Sequence, residues 1–141
     1  MARRKIDLPG KLGFTTQIDI RIGDINYGGH LGNDALITLL HEARVRLLST
    51  ENLSESNCGN GIGIVVTELE VVYKAEAFHG QSLVIETGII QIDKIGAKIG
   101  YRVNRSEDKQ EIARAITGIT FFDYSSRRPA RVPEAFLRAF E

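Results

Sequence analysis

Only one stretch of this chain has the periodicity of a long helix, and it is apolar on too many sides to lie flat on a surface. From position 33 onward, Leu36, Leu39, Leu40, Ala43 and Leu47 form one stripe at helical spacing. Ile37, Val45 and Leu48 add apolar surface outside that stripe. A helix of this kind is buried on most sides, so other elements must wrap it. Asn33 or Asp34 is placed to cap its first turn. The pattern fades near Asn52, ahead of the polar loop 54–60.

The remaining long segments read as strands. Residues 14–22 alternate, with Phe14, Ile18, Ile20 and Ile22 on one face and Gln17, Asp19 and Arg21 on the other. After the helix come apolar or alternating runs over 62–73, 83–92, 97–104 and 111–124. Short polar turns join the last three, which predicts an antiparallel meander. Pro129 and Pro133 end the strand region, and residues 134–140 form a short terminal helical turn. Residues 1–13, with Pro9, Gly10 and Gly13, read as an irregular lead-in. The order predicts one α+β domain over residues 1–141, a long central helix wrapped by a curved antiparallel sheet of about five strands. Such a sheet leaves a long edge, and pairing with a second copy is the simplest cover, so a symmetric homodimer is expected.

Several function classes are disfavoured early. Eighteen basic residues balance eighteen acidic ones, without the basic excess of a nucleic-acid binder. No apolar run approaches the ~18 residues that span a bilayer, and M-A-R-R-K-I-D-L-P-G lacks the apolar stretch of a secretory leader. No membrane partner is expected. The single cysteine, Cys58, cannot form an internal disulfide and reads as an incidental loop thiol, in keeping with a reducing cytoplasm. His30, His41 and His79 have no metal-ligand spacing, so neither metal nor cofactor is expected.

Between the first strand and the helix lies the polar, glycine-rich run R-I-G-D-I-N-Y-G-G-H-L-G-N, residues 21–33, followed by H-E-A-R at 41–44. Near the end comes R-P-A-R-V-P at 128–133. Together these runs resemble the hotdog-fold acyl-CoA thioesterases, in the branch related to 4-hydroxybenzoyl-CoA thioesterase. There the first strand ends in a pattern like R-x-x-D-x-D-x-x-G-H-x-x-N, followed by a helix with E-A-R. The resemblance extends over the whole chain. It implies a hotdog fold and hydrolysis of an acyl-CoA, or acyl carrier protein, thioester to free acid and thiol. Coenzyme A would enter only as part of the substrate. The assembly would be a homodimer or a dimer of dimers (a homotetramer), with loop 24–33 of one subunit meeting the helix of its neighbour. One position departs from the pattern. The family's usual catalytic aspartate is the second acid of D-x-D, and the matching residue here is Asn26, which cannot take a proton but can hold a water or a thioester oxygen.

Thioester hydrolysis needs an activated water or attacking carboxylate, donors for the oxyanion, and a leaving thiolate. Glu42, on the helix beside the core stripe, is the candidate base, because other hotdog branches place the acid on this helix. Its alternative is a structural pair with Arg46 at i,i+4. Asn26 is expected to orient water or carbonyl, or else to be a turn residue. His30 is expected to bond the carbonyl, shuttle a proton or orient a neighbour, or else to cap local backbone. The N–H groups of residues 28–31, with Gly28 and Gly29 allowing close approach, are candidate oxyanion donors. Asn33 is most economically a helix cap, with a concurrent place in the site as its other reading. Asp24 braces the loop or serves as base, and Tyr27 lines an acyl pocket or simply packs. Tyr73 and Lys74 lie at a strand end where the family's substrate channel would open. Arg127, Arg128 and Arg131 would meet the phosphates of coenzyme A, or form a solvated face. His41 and His79 read as helix-flank and turn residues. Two rivals share the fold: a hydratase or dehydratase on acyl thioesters, since D-I-N then His30 is faintly similar to their motif, and a non-catalytic acyl-CoA-binding protein.

Overall fold

The computed structural model describes residues 4–141; the first three residues of the lead-in lie outside it. In chain order come β1 (Phe14–Asp19), a 3-10 turn (Ile22–Asp24), α1 (Asn33–Ser49), β2 (Ile62–Tyr73), β3 (Ser82–Ile92), β4 (Gly96–Arg105), β5 (Glu111–Asp123), β6 (Arg128–Pro129) and α2 (Glu134–Phe140). One antiparallel sheet runs β1-β3-β4-β5-β2, with β6 paired to β5. The meander β3–β4–β5 is as the turn spacing predicts. β2 instead pairs with the distant β5, which makes it an edge of the sheet. This is the α+β hotdog arrangement, a long helix held against a curved sheet.

The sheet buries one face because its side chains alternate. Odd-numbered residues of the meander, Leu83, Ile85, Ile99, Tyr101, Val103, Ala113, Ala115, Ile119 and Phe121, join the α1 stripe Leu36, Leu39, Leu40, Ala43, Leu47 and Leu48 in one apolar cluster. α2 caps the same cluster, with Phe136 edge-on to Phe121 at 4.9 Å. Cys58 belongs here too. It is fully buried, its thiol donates to the Ser54 carbonyl at 3.3 Å, and burial pushes it up to about 11. It is a small core residue, not an incidental loop thiol.

Three expectations are corrected. The helix is not covered on most sides. Ile37 and Val45 remain 38% and 39% exposed, because one chain's sheet reaches only one flank of the helix. Ile22 does not continue the first strand. The ladder stops at Asp19, the chain tightens into the 3-10 turn, and Ile22 is 71% exposed. Pro129 does not end the strand region, since it pairs with Phe122 in β6.

Residues 4–13 of the lead-in are irregular but firmly placed. Arg114 donates to the Ile6 carbonyl at 3.1 Å, Arg102 to the Pro9 carbonyl at 2.8 Å, and the Leu12 N–H donates to Glu86 at 2.9 Å. A Cβ on Gly88 would lie 1.8 Å from the Leu12 carbonyl oxygen, so only glycine admits the strap at that point. No helix among the described residues is long and apolar enough to cross a membrane.

One charged side chain of α1 enters the core. Arg44, 7% exposed, donates to Glu55 at 2.7 Å and to the Tyr101 hydroxyl at 3.1 Å, which contacts Thr117 at 2.8 Å. His41 donates to the other oxygen of Glu55 at 2.6 Å. A buried guanidinium needs such partners. Burial alone would raise the Glu55 carboxyl, but the hydrogen bonds from Arg44 and His41 outweigh it and hold it below its ordinary value of 4.5. Because the folded value is depressed, this pairing stabilises fully above about pH 4.5, and the contribution is lost as pH falls through the lower folded value. The urea midpoint should therefore fall on acidification through this range, and fall less steeply in Glu55→Gln. Equal slopes would show that the network does not respond to pH.

Candidate active site

The loop between β1 and α1 is shaped by Asn26. Its side-chain oxygen accepts the N–H groups of Gly28 at 2.9 Å and His30 at 3.3 Å, while its backbone carbonyl accepts Gly29 N–H at 3.0 Å. The Asn26 N–H closes the turn on the His30 carbonyl at 2.9 Å, and Ile25 and Leu31 form an isolated bridge. Gly29 has φ +85°, which favours glycine. With its oxygen occupied, Asn26 has only its amide NH2 to offer outward.

The helix then begins one residue before the expected caps. Gly32 is the N-cap, extended at φ −68° and ψ 146°, with no side-chain capping bond. Its own N–H goes to the Asp24 carbonyl at 2.9 Å, and its carbonyl receives Leu36 N–H at 3.1 Å. A Cβ on Gly32 would lie 2.6 Å from Asp34 Oδ1. Asn33 and Asp34 are thus the first helical residues, and their N–H groups have no partner among the described residues.

The loop is sewn to the segment after β2. Leu31 N–H donates to the Ala77 carbonyl at 2.7 Å, the His30 ring stands edge-on to Phe78 at 6.5 Å, and Tyr73 hydroxyl donates to the Asn33 carbonyl at 2.7 Å. Burial and the nearby Asp34 push the Tyr73 phenol up, so it is a neutral donor. Between the two segments lies a cavity of about 390 Å³. Its apolar wall is Leu31, Leu36, Ala75, Ala77 and Ile112, and its polar groups come from Asn26, His30, Asn33, Tyr73, Lys74 and Glu76. That size suits a small ligand group.

Asn26, His30, Asn33 and Tyr73 therefore meet as expected, and Lys74 joins them. Other residues do not. Glu42 lines a separate cleft with Asp24, His41 and Val45, and pairs with Arg46 at 2.7 Å. Arg46 in turn donates to Thr16 and to the Gln17 carbonyl, so within one chain the Glu42 pair is structural. Asp24 accepts the Arg21 N–H at 2.8 Å and braces the turn. Tyr27 is fully exposed and does not border this cavity. The N–H groups of Gly28, Gly29, His30 and Leu31 all donate within the protein, so none is free for an oxyanion. Gly28 and Gly29 serve the turn instead. Arg127 and Arg128 follow the end of β5, beside Ile62, whereas the cavity lies at the Tyr73 end of β2. At about 3.3 Å per strand residue, that is the far end of the sheet. Arg131 borders another groove there, next to α2.

Two features escaped sequence reasoning. The free donors among the described residues belong to Asn33, Asp34 and Ala35, because the cap is a glycine. The one carboxylate lining the cavity is Glu76, in the turn after β2. The signal was its position two residues beyond Lys74, at a strand end already expected to border a channel. Among the described residues no group of three His, Cys, Asp or Glu side chains is placed to hold a metal ion.

Residues 20–140 match the model of the thioesterase-like superfamily. Solved structures with the same fold include a 1,4-dihydroxy-2-naphthoyl-CoA thioesterase from Synechocystis, 24% identical, with a TM-score of 0.81 over 89% of this chain and 93% of that one. The DHNA-CoA thioesterase of Staphylococcus aureus is 20% identical, with a TM-score of 0.78 over 88% and 83%. The probable thioesterase YbaW of Escherichia coli is 20% identical, with a TM-score of 0.77 over 90% and 96%. Among curated proteins none matches the chain significantly.

The turn-forming role of Asn26 makes a stability prediction. Asn26→Ala removes two acceptor contacts and should cost about 1–2 kcal/mol in urea unfolding. Asn26→Asp keeps an acceptor oxygen for both N–H groups and should unfold near the wild-type midpoint. Equal loss in both variants would mean that the acceptor oxygen does not shape the loop.

Proposed function

The chain belongs to the thioesterase-like superfamily, and from that premise we propose that it hydrolyses an acyl-CoA thioester in the cavity beside the N-terminus of α1. The observation that carries this reading is convergence. Asn33, at the start of the helix with its N–H unpaired, the Asn26 amide and the His30 imidazole all border one apolar-walled space. The acyl group would lie against Leu36, Ala75 and Ile112, with the thioester carbonyl near the helix terminus. There the free donors and the helix dipole would favour the developing oxyanion. His30 Nδ1 lies 3.4 Å from the Leu31 carbonyl, and donation to that carbonyl would leave a lone pair on Nε2. In this scheme Nε2 takes a proton as water attacks the carbonyl carbon. The C–S bond then breaks, and the thiolate takes that proton. No metal or cofactor has a step.

Hydration of an enoyl thioester is the weaker reading. Its motif would set an acid and a histidine on one substrate, but Asp24 and His30 border different cavities.

The proposal includes a homodimer joined along β2. This edge exposes Val66, Leu69 and Tyr73, and antiparallel pairing of two copies would extend the sheet. A two-fold axis there sets the Ile62 end of one strand beside the Tyr73 end of the other. Arg127 and Arg128 would then approach the partner's cavity, where they suit the phosphates of coenzyme A. The lone, unpaired cysteine fits a cytoplasmic setting.

Thiol release from a panel of short, long and aromatic acyl-CoAs tests the reaction. Turnover is expected for at least one, with kcat lowered about 10²–10⁴-fold in His30→Ala and essentially unchanged in Glu42→Gln. Recovery of every acyl-CoA intact would reject hydrolysis, and loss of activity in Glu42→Gln alone would move the base to the helix. Light scattering should read twice the chain mass, and Leu69→Lys should shift it toward the monomer.

A further inference from the structure

We propose that Glu76 is the carboxylate partner of His30, supplying from the turn after β2 the negative charge that Asn26 does not provide in the first loop. The inference rests on the hydrolytic reading above and adds a positioning residue to it.

Three observations meet at this residue. Glu76 is the one carboxylate bordering the cavity, and its Oε1 is 3.9 Å from His30 Nε2. The backbone that follows its side chain is fixed. Arg105 donates to the Glu76 carbonyl at 2.8 Å, and the next carbonyl, that of Ala77, receives Leu31 N–H at 2.7 Å. Arg105 is itself held by two bonds to Asp108, at 2.9 and 2.8 Å. The carboxylate, by contrast, has no other partner among the described residues. Lys74, the cation nearest in sequence, is taken by Glu111 at 2.8 Å. A glutamate whose backbone is anchored and whose side chain is uncommitted is available to a neighbouring imidazole.

The geometry also assigns the roles. Nε2 is the nitrogen that accepts the proton from the attacking water, and it is the nitrogen Glu76 faces. As the imidazolium forms, a carboxylate at this distance stabilises it; when the proton passes to the leaving thiolate, that attraction ends. Glu76 exchanges no atom with the substrate. The His30 side chain is 33% exposed and that of Glu76 63%, so solvent weakens the attraction, and its effect on rate is modest beside that of the imidazole itself.

The test is a double-mutant cycle in thiol release, using the acyl-CoA that the wild type cleaves best. Glu76→Gln is expected to lower kcat about tenfold with KM little changed, and Glu76→Asp to recover part of the loss. In a His30→Ala background the same Glu76→Gln change should cost nothing further, because the charge acts only through the imidazole. A merely structural Glu76 would cost the same in both backgrounds and would lower the thermal midpoint. Wild-type kcat in Glu76→Gln, or a loss that persists without His30, overturns this inference while leaving hydrolysis intact. A wild type that releases no thiol overturns both.

Discussion

The cavity exists because two loops that each lack regular structure are fastened to one another. The Leu31 N–H reaches the Ala77 carbonyl at 2.7 Å, across 46 positions of chain, and Tyr73 reaches the Asn33 carbonyl at the same distance. Without these two bonds, the glycine-rich turn and the end of β2 would have no common wall. Behind them stands the packing of α1 on the sheet, which fixes where the first turn of the helix points. Position is thus set by the apolar core, and polarity by what the two loops leave unpaired.

That division explains how a site can survive an asparagine at the place where an acid is expected. In the turn, the Asn26 oxygen is fully used in holding Gly28 and His30 N–H groups. An aspartate would satisfy the same contacts with one oxygen and keep a second for chemistry. Asparagine keeps the shape and offers an NH2 instead, so in the proposed hydrolysis the demand for a proton acceptor shifts to His30. The local fold and the chemistry of the position are separable, which is why a motif can be matched in outline and altered in its reacting group.

Much of the architecture was legible because it follows from alternation and helical spacing. The strand over 62–73 and the helix near 33–48 appear where the apolar pattern puts them. The pairing of β2 with β5 was not legible, since both edges of the meander offer similar alternating faces. Asn33 looked like a cap because its side chain suits one, yet the extended residue is Gly32, and capping depends on backbone angles that composition does not encode. That Asn26, His30, Asn33 and Tyr73 border one cavity was legible from their common loop and strand end. Glu76 was not, because its partner is distant in sequence and only the Leu31–Ala77 bond brings them together. The fate of the loop N–H groups was equally hidden: glycines signal room for a ligand, but here that room is filled by Asn26 itself.

The interior location of the lone sulfhydryl has a practical side. Cys58 has no exposed surface, its proton is held to about 11 by burial, and its hydrogen bond to Ser54 keeps it facing inward. Colorimetric disulfide reagents attack thiolates that they can reach. The folded polypeptide is therefore a silent background to such reagents, and colour developing in its presence belongs to sulfur freed from another molecule.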